Sequence, residues 1–137
     1  MLASFEPAYA GPYQDALVKC FVSKTMERDQ EVIARWIVLA FASHPSVSGL
    51  VEIKRDRISE VQQDMAELTE RLFIHDCLLE AREAARFEGE SAVVQAFNFL
   101  AQTAGRAVMS NPAVGRMLDD YVSKMDAKRF EREIFGD

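Results

Sequence analysis

Residues 50–88 contain neither glycine nor proline, and no other feature of the sequence restricts the fold as strongly. Those two residues are the usual interruptions of a helix, so 39 residues without them favour one unbroken helix. Within this run, apolar residues, with one histidine among them, recur at alternating spacings of three and four. This is the period of a helix with one buried stripe. The positions of this central seam are Ile58, Val61, Met65, Leu68, Leu72, His75 and Leu79. The pattern predicts a single long central helix over about 50–88.

The length of that helix has a consequence for binding. At 1.5 Å per residue it would be about 58 Å long, whereas a compact domain of this size is under roughly 40 Å across. The helix must therefore bend, or its charged N-terminal half must project and place its narrow apolar stripe against a partner helix. We favour the second interpretation and expect a homo-oligomer. The predicted partner-binding residues on this stripe are Ile58, Val61, Met65 and Leu68.

Helical periodicity also dominates the rest of the chain. Asn111 followed by Pro112 is a strong start signal for the last helix, and no segment shows the strict alternation of a strand. We therefore predict an all-α, single-domain bundle of about five helices over 1–137, with an irregular N-terminal segment at 1–12. The predicted helices cover about 13–24, 26–43, 50–88, 91–109 and 111–135.

Charge and cysteine usage narrow the classes of function. The net charge is −6 and the pI about 5.0, the opposite of what neutralising nucleic-acid phosphates requires. The longest apolar run, Trp36–Ala42, is far shorter than the roughly 20 residues of a membrane span. Cys20 and Cys77 each lie in an apolar setting, and we expect them to be free buried thiols. These observations predict a cytoplasmic protein that binds neither nucleic acid nor membrane.

A histidine next to an aspartate, His75–Asp76, invites a metal-site interpretation. Ligands on one face of a helix need spacings of three or four residues. From His75 those positions hold only Arg71 and three leucines. We therefore expect His75 to be a buried or interfacial member of the seam, and we expect no metal, no cofactor and no catalytic residue.

Two alternatives stay open. His44, the His75–Asp76 pair and a later Asp119 or Asp120 loosely resemble the HD-domain phosphohydrolases. That resemblance implies a metal-dependent hydrolase whose ligands come from those residues, although the proline after His44 and the residues after the pair depart from the family pattern. The second alternative is a small-ligand-binding bundle, with a pocket among Trp36, Phe97 and Phe99.

The C-terminal tail is a second candidate for partner binding. Its apolar residues leave the stripe of the preceding helix, because Lys128 and Arg132 occupy the next two stripe positions. Such a shift is typical of side chains that dock on another surface, and we favour docking on the chain's own bundle over docking on a partner. The residues concerned are Phe130, Ile134 and Phe135. The sequence as a whole predicts a non-enzymatic protein–protein interaction module: an adaptor, an inhibitor or a regulatory subunit.

Overall fold

The computed structural model describes residues 11–136, and α-helices account for nearly all regular structure in that range. The all-α prediction is confirmed. Seven α-helices are present in the described part of the chain, more than the five predicted. They are α1 (Pro12–Lys24), α2 (Glu27–Ala42), α3 (Arg55–Glu70), α4 (Leu78–Glu88), α5 (Glu90–Met109), α6 (Pro112–Ser123) and α7 (Ala127–Phe135). Most of the predicted irregular N-terminal segment lies outside the described residues.

The chain divides into two compact units, the first ending at Gly105 and the second starting at Arg106. The single-domain prediction is not tested by this division and stays a prediction. Among residues 11–136, no helix is both long enough and apolar enough to cross a lipid bilayer.

The prediction of one long central helix is wrong. Residues 51–54 are not helical, and between α3 and α4 the residues Arg71–Asp76 form a π-helical turn. Its closing bond runs from the Cys77 N–H to the Leu72 carbonyl, five residues back, at 2.8 Å. Cys77 itself has non-helical backbone angles, φ −127° and ψ 30°. A π turn inserts one extra residue into a helix, so α3 and α4 do not share one continuous stripe.

The inserted residue changes which side chains face the core. Leu72 is fully buried and the next buried residue is Cys77, a step of five. Ala84 follows, also fully buried, with Ala81 partly buried between them. Leu79, which the spacing of three and four places in the seam, is 63% exposed. His75 is exposed as well, so the expectation of a buried His75 is wrong, and an interfacial position stays a prediction.

The core of the first unit is a contiguous cluster of side chains from α1 to α5 and the π turn. Phe21 of α1 packs against Phe73 of the π turn, with ring centroids 4.8 Å apart. Phe73 also lies 6.0 Å from Phe97 of α5. The buried members are Leu17, Phe21, Ile33, Met65, Leu68, Leu72, Cys77, Ala84, Ala92, Ala96, Leu100 and Ala104.

Cys20 and Cys77 are joined in a disulfide, so the prediction of two free thiols is wrong. The bond links the middle of α1 to the residue that closes the π turn, with Cα atoms 5.9 Å apart. The two cysteines are 57 positions apart in sequence, and only the packing of α1 against the π turn and α4 makes them neighbours. The spacing of the two cysteines in the sequence does not predict that packing.

Arg71, the first residue of the π turn, connects three elements of the same unit. Its guanidinium donates two hydrogen bonds to Asp29 near the start of α2, at 2.7 and 3.2 Å. Its Nε lies 3.3 Å from the Asp76 carboxylate at the end of the turn, and Nη2 also donates to the Lys24 carbonyl at the end of α1. One side chain therefore ties the ends of α1 and the π turn to the start of α2.

Asp29 is the buried partner in this group, with an 11% exposed side chain. Burial raises the pKa of its carboxyl, but the hydrogen bonds from Arg71 and from the Met26 N–H, with the charges of Arg71 and Arg28, lower it below 3.8 overall. The hydrogen bond to Asp29 is the main cause that raises the pKa of Arg71. The pair is charged at neutral pH, and each member stabilises the charge of the other.

Glu88, the last residue of α4, caps the start of α1. Its carboxylate accepts hydrogen bonds from the backbone N–H groups of Gln14 at 2.6 Å and Tyr13 at 3.3 Å. These N–H groups have no partner inside the helix, and the N-cap residue, Gly11, has no side chain to serve them. A Cβ atom on Gly11 would overlap the Glu88 carboxylate, so a side chain at this position would displace the flexible end of Glu88.

We expect Glu88→Ala to lower the free energy of unfolding by about 1 kcal/mol, the usual effect of removing a helix cap. Glu83→Ala on the same helix is the matched control. Within residues 11–136, no N–H group of α1 donates a hydrogen bond to the Glu83 carboxylate. Urea unfolding of both variants tests this. Equal losses would contradict a capping role.

The second unit also differs from the prediction, which placed one helix over 111–135. Asn111 does cap α6, accepting a hydrogen bond from the Ala113 N–H at 2.8 Å. The helix ends at Ser123, however, and α7 begins only at Ala127. Asp126 caps α7 by accepting a hydrogen bond from the Arg129 N–H at 3.0 Å. A capping aspartate favours a helix start, and the apolar residues beyond it no longer follow the stripe of α6.

Candidate functional site: the C-terminal apolar surface

The four partner-binding residues predicted on α3 do not form one exposed stripe. Met65 and Leu68 are buried in the core of the first unit, and Ile58 and Val61 are half-buried. The geometric basis of the prediction, a long projecting helix, is absent because the π turn ends α3 at Glu70. Partner binding by these residues stays a prediction.

The tail residues Phe130, Ile134 and Phe135 are all exposed large apolar side chains of the second unit. Phe130 and Ile134 lie four residues apart on one face of α7, and Phe135 follows directly. Phe135 is 77% exposed and Ile134 60%. A shallow depression between Phe130 and Ile134 is edged by charged groups, Asp126, Arg129 and Glu133. An exposed apolar strip with a charged rim is the composition of a binding surface.

Helix α6 adds further apolar side chains to this unit. Its half-buried residues are Val114 and Leu118, whereas Tyr121 is 62% exposed. No residue of α6 was among the predicted partner-binding residues, although the apolar residues of this helix form a stripe in the sequence. We define the C-terminal apolar surface as the exposed large apolar residues of both helices: Met117, Tyr121, Val122, Phe130, Ile134 and Phe135.

Neither α6 nor α7 contains a buried residue. They have 12 and 9 residues, and isolated helices shorter than roughly 12–15 residues are marginal in water. Most helical stability in proteins comes from packing an apolar face, and here the apolar residues face solvent. The two helices therefore gain stability when another surface covers them.

The charge of the second unit differs from that of the first. Residues 106–137 contain six Lys or Arg and six Asp or Glu, so their net charge is zero and the whole −6 resides in residues 1–105. Two first units repel one another, whereas two second units do not. The second unit also lacks the net positive charge that favours binding to anionic lipid or nucleic acid.

The charges along α7 have an order of their own. Its first turn contains Lys128 and Arg129 and no acidic residue, although positive charge is unfavourable at a helix N-terminus. Glu131 and Glu133 lie in its second half, where negative charge is unfavourable, and Arg132 is within 3.8 Å of Glu133. A neighbouring helix of the opposite direction relieves both effects, because it places acidic groups beside the first turn and basic groups beside the end.

The residues of the hydrolase alternative are used in other ways. His44 lies in the turn after α2, where its Nδ1 is 2.8 Å from the Ser46 hydroxyl. Asp76 pairs with Arg71, and His75 next to it is exposed. Within residues 11–136, no three His, Cys, Asp or Glu side chains lie close enough together to hold a metal ion.

The residues of the small-ligand alternative are partly brought together. Trp36 and Phe97 line the same open groove of about 420 Å³ between α2, α3 and α5. The indole N–H of Trp36 donates to Gln62 across this groove at 3.0 Å. Phe99 does not line the groove and is exposed on α5. A second open groove, about 580 Å³, lies beside Trp36 and Phe41 at the end of α2. Ligand sites are usually deep enough to enclose most of a ligand, and both grooves are shallow.

The chain matches no protein-family model, and neither a curated protein nor a solved structure resembles it. The chemistry of the described surfaces is therefore the basis for a functional assignment. Of these surfaces, the C-terminal apolar surface is the one whose apolar side chains are exposed on two helices that contain no buried residue.

Proposed function

We propose that the chain is a non-enzymatic helical interaction module that self-associates through its C-terminal apolar surface. The observation that carries this proposal is that α6 and α7 are ordered helices without one buried residue. Covering their apolar side chains provides the stability that short isolated helices lack. Such a module would serve as an adaptor, an inhibitor or a regulatory subunit.

A second copy of the chain is the partner that the charges favour. In an antiparallel pair of α7 helices, Lys128 and Arg129 of each copy lie beside Glu131 and Glu133 of the other. The pattern is self-complementary, as a two-fold symmetric interface requires.

Reversing the charges on α7 tests this antiparallel arrangement. We expect Lys128→Glu/Arg129→Glu and Glu131→Lys/Glu133→Lys each to weaken self-association of the full chain, because each variant places like charges opposite one another. An equimolar mixture of the two variants restores the complementary arrangement and therefore associates again. Sedimentation velocity over a dilution series measures all three samples.

The control is a charge change of the same kind on the first unit, Arg55→Glu/Arg57→Glu at the start of α3, which should leave association unchanged. Association that is equal in all variants would contradict the antiparallel arrangement. A wild-type chain that is monomeric throughout the dilution series would contradict self-association itself. Binding to neutral lipid vesicles in place of a second copy would assign the same surface to a membrane.

The disulfide also bears on the predicted cellular location. The expectation of a cytoplasmic chain was based partly on two free thiols, and the disulfide removes that support. Disulfides persist in oxidising compartments, and in the cytoplasm of most cells they are transient. The cytoplasmic location stays a prediction, and it now requires that the Cys20–Cys77 bond form and break with the redox state.

A further inference from the structure

The segment after Leu72 is compatible with two registers that rejoin at Ala84. In the register of the structure, a step of five leads from Leu72 to Cys77, and steps of four and three then lead through Ala81 to Ala84. In the alternative register, steps of three and four lead through His75 to Leu79, and the step of five comes last, between Leu79 and Ala84. Both registers contain one π turn and leave the rest of α4 in place.

The covalent bond to α1 selects between these registers. Cys77 can be bonded to Cys20 only when Cys77 faces α1, which is the register with the π turn at Arg71–Asp76. In that register Leu79 is 63% exposed, with His75 exposed one turn before it. The alternative register removes Leu79 from water, a favourable change. The side chain that it turns away from the core is a cysteine, which is smaller.

From this geometry we infer that the Cys20–Cys77 disulfide is a redox latch that fixes the position of the π turn. When the bond is reduced, the extra residue moves from Leu72–Cys77 to Leu79–Ala84, and His75 and Leu79 turn toward α1. An exposed patch of Ile74, His75, Leu78 and Leu79 is thereby present in the oxidised protein and largely withdrawn in the reduced one. π turns inside helices often occur at functional sites.

The reductant is a dithiol. One of its thiolates attacks Sγ of Cys20, which is half-buried, whereas Cys77 is fully buried. The S–S bond breaks, Cys77 leaves as a thiolate that takes up a proton, and a mixed disulfide forms on Cys20. The second thiol of the reductant then displaces Cys20, which also takes up a proton. Two electrons and two protons reach the protein, and the dithiol becomes a cyclic disulfide.

Chemical labelling of the two histidines of the chain reports the position of the π turn. Both His75 and His44 are exposed in the oxidised protein, so both should react with diethyl pyrocarbonate. We expect the His75 to His44 labelling ratio, read by peptide mass spectrometry, to fall several-fold after reduction with dithiothreitol and removal of the reagent. An unchanged ratio would overturn the latch, and so would loss of the helical circular dichroism signal on reduction.

Variants separate the latch from a general effect of reduction. Cys20→Ala/Cys77→Ala should show the low labelling ratio without any reductant. Adding Leu79→Asp to that variant opposes the inward register and should return the ratio to the oxidised value. Leu79→Asp alone, in the oxidised protein, should leave the ratio unchanged. A low ratio in the triple variant would overturn the proposed movement of the π turn. None of these outcomes depends on self-association through α6 and α7, so the two proposals fail independently.

Discussion

Replacing Cys20 and Cys77 together by alanine is expected to lower the free energy of unfolding by about 4 kcal/mol. The bond spans a sequence separation of 57 residues, and a cross-link over that distance removes much of the conformational freedom of the unfolded chain. At about 3 °C per kcal/mol for a chain of this size, the thermal midpoint should fall by roughly 12 °C. Thermal unfolding followed by circular dichroism measures the change.

The wild-type chain in excess dithiothreitol is the matched control. Its midpoint should fall to that of the double variant, and the double variant itself should not respond to the reagent. Because a domain of this size is stable by about 5–15 kcal/mol, both samples should still be folded at room temperature. Midpoints that agree with the oxidised wild-type chain would contradict a stabilising cross-link.

The second large effect is expected for Arg71→Met, which should cost about 3 kcal/mol. This change leaves the Asp29 carboxylate nearly buried, with an 11% exposed side chain and without its two hydrogen bonds from the guanidinium. A charge left buried without its partner is strongly destabilising, although the remaining bond from the Met26 N–H reduces the cost. The contacts to Asp76 and to the Lys24 carbonyl are lost too.

Arg57→Met is the control for this prediction. Arg57 and Glu60 are as close as a good ion pair, at 3.0 Å, but both side chains are more than half exposed. Exposed pairs contribute less than about 1 kcal/mol. Urea unfolding of the two variants should therefore separate them clearly, and equal losses would show that the Arg71 contacts stabilise the fold no more than a surface pair.

The pH dependence of stability reports on the same pair. The pKa of Asp29 in the folded protein is below its ordinary value, so the unfolded chain binds the proton more tightly. The stabilisation is therefore complete above the unfolded pKa, about 3.9, and is lost as the pH falls through the lower folded pKa. In Arg71→Met the main cause of the lowering is removed. Burial still raises the pKa of Asp29 in this variant, so the acid-induced loss of stability that Asp29 causes in the wild type should be reduced or absent in Arg71→Met.

The helical character of the chain could be predicted from its sequence because the signals are local. The spacing of apolar residues located α1, α2 and α5 to within about two residues. Asn111 with Pro112 marked the start of α6 correctly. Each of these features depends on residues no more than a few positions apart.

The errors share a physical cause, which is contact between distant parts of the chain. A spacing of three and four fits residues 58–79 as one stripe, but Ala81 and Ala84 belong to another stripe that packs against α1. The conflict is resolved by the π turn, and no local signal specifies its position. The disulfide and the Arg71–Asp29 pair likewise join residues that are 57 and 42 positions apart.

For the candidate site, the prediction was partly useful. The tail residues Phe130, Ile134 and Phe135 are exposed apolar side chains of one helix, as a docking surface requires, whereas their role in binding stays a prediction. The stripe on α3 was a less suitable choice because Met65 and Leu68 serve the core. A stripe of apolar residues has the same appearance in a sequence whether it is covered by the same chain or by another.

Hydrogen exchange at low and high protein concentration tests self-association through the C-terminal apolar surface. Amides of residues 112–135 in the full chain should exchange more slowly as the protein concentration rises, while those of residues 92–104 in the first unit should not change. The mass of the species should rise in parallel from 15.5 kDa toward twice that value. Exchange in 112–135 that is independent of concentration, in a chain that stays at 15.5 kDa or associates elsewhere, would contradict the account.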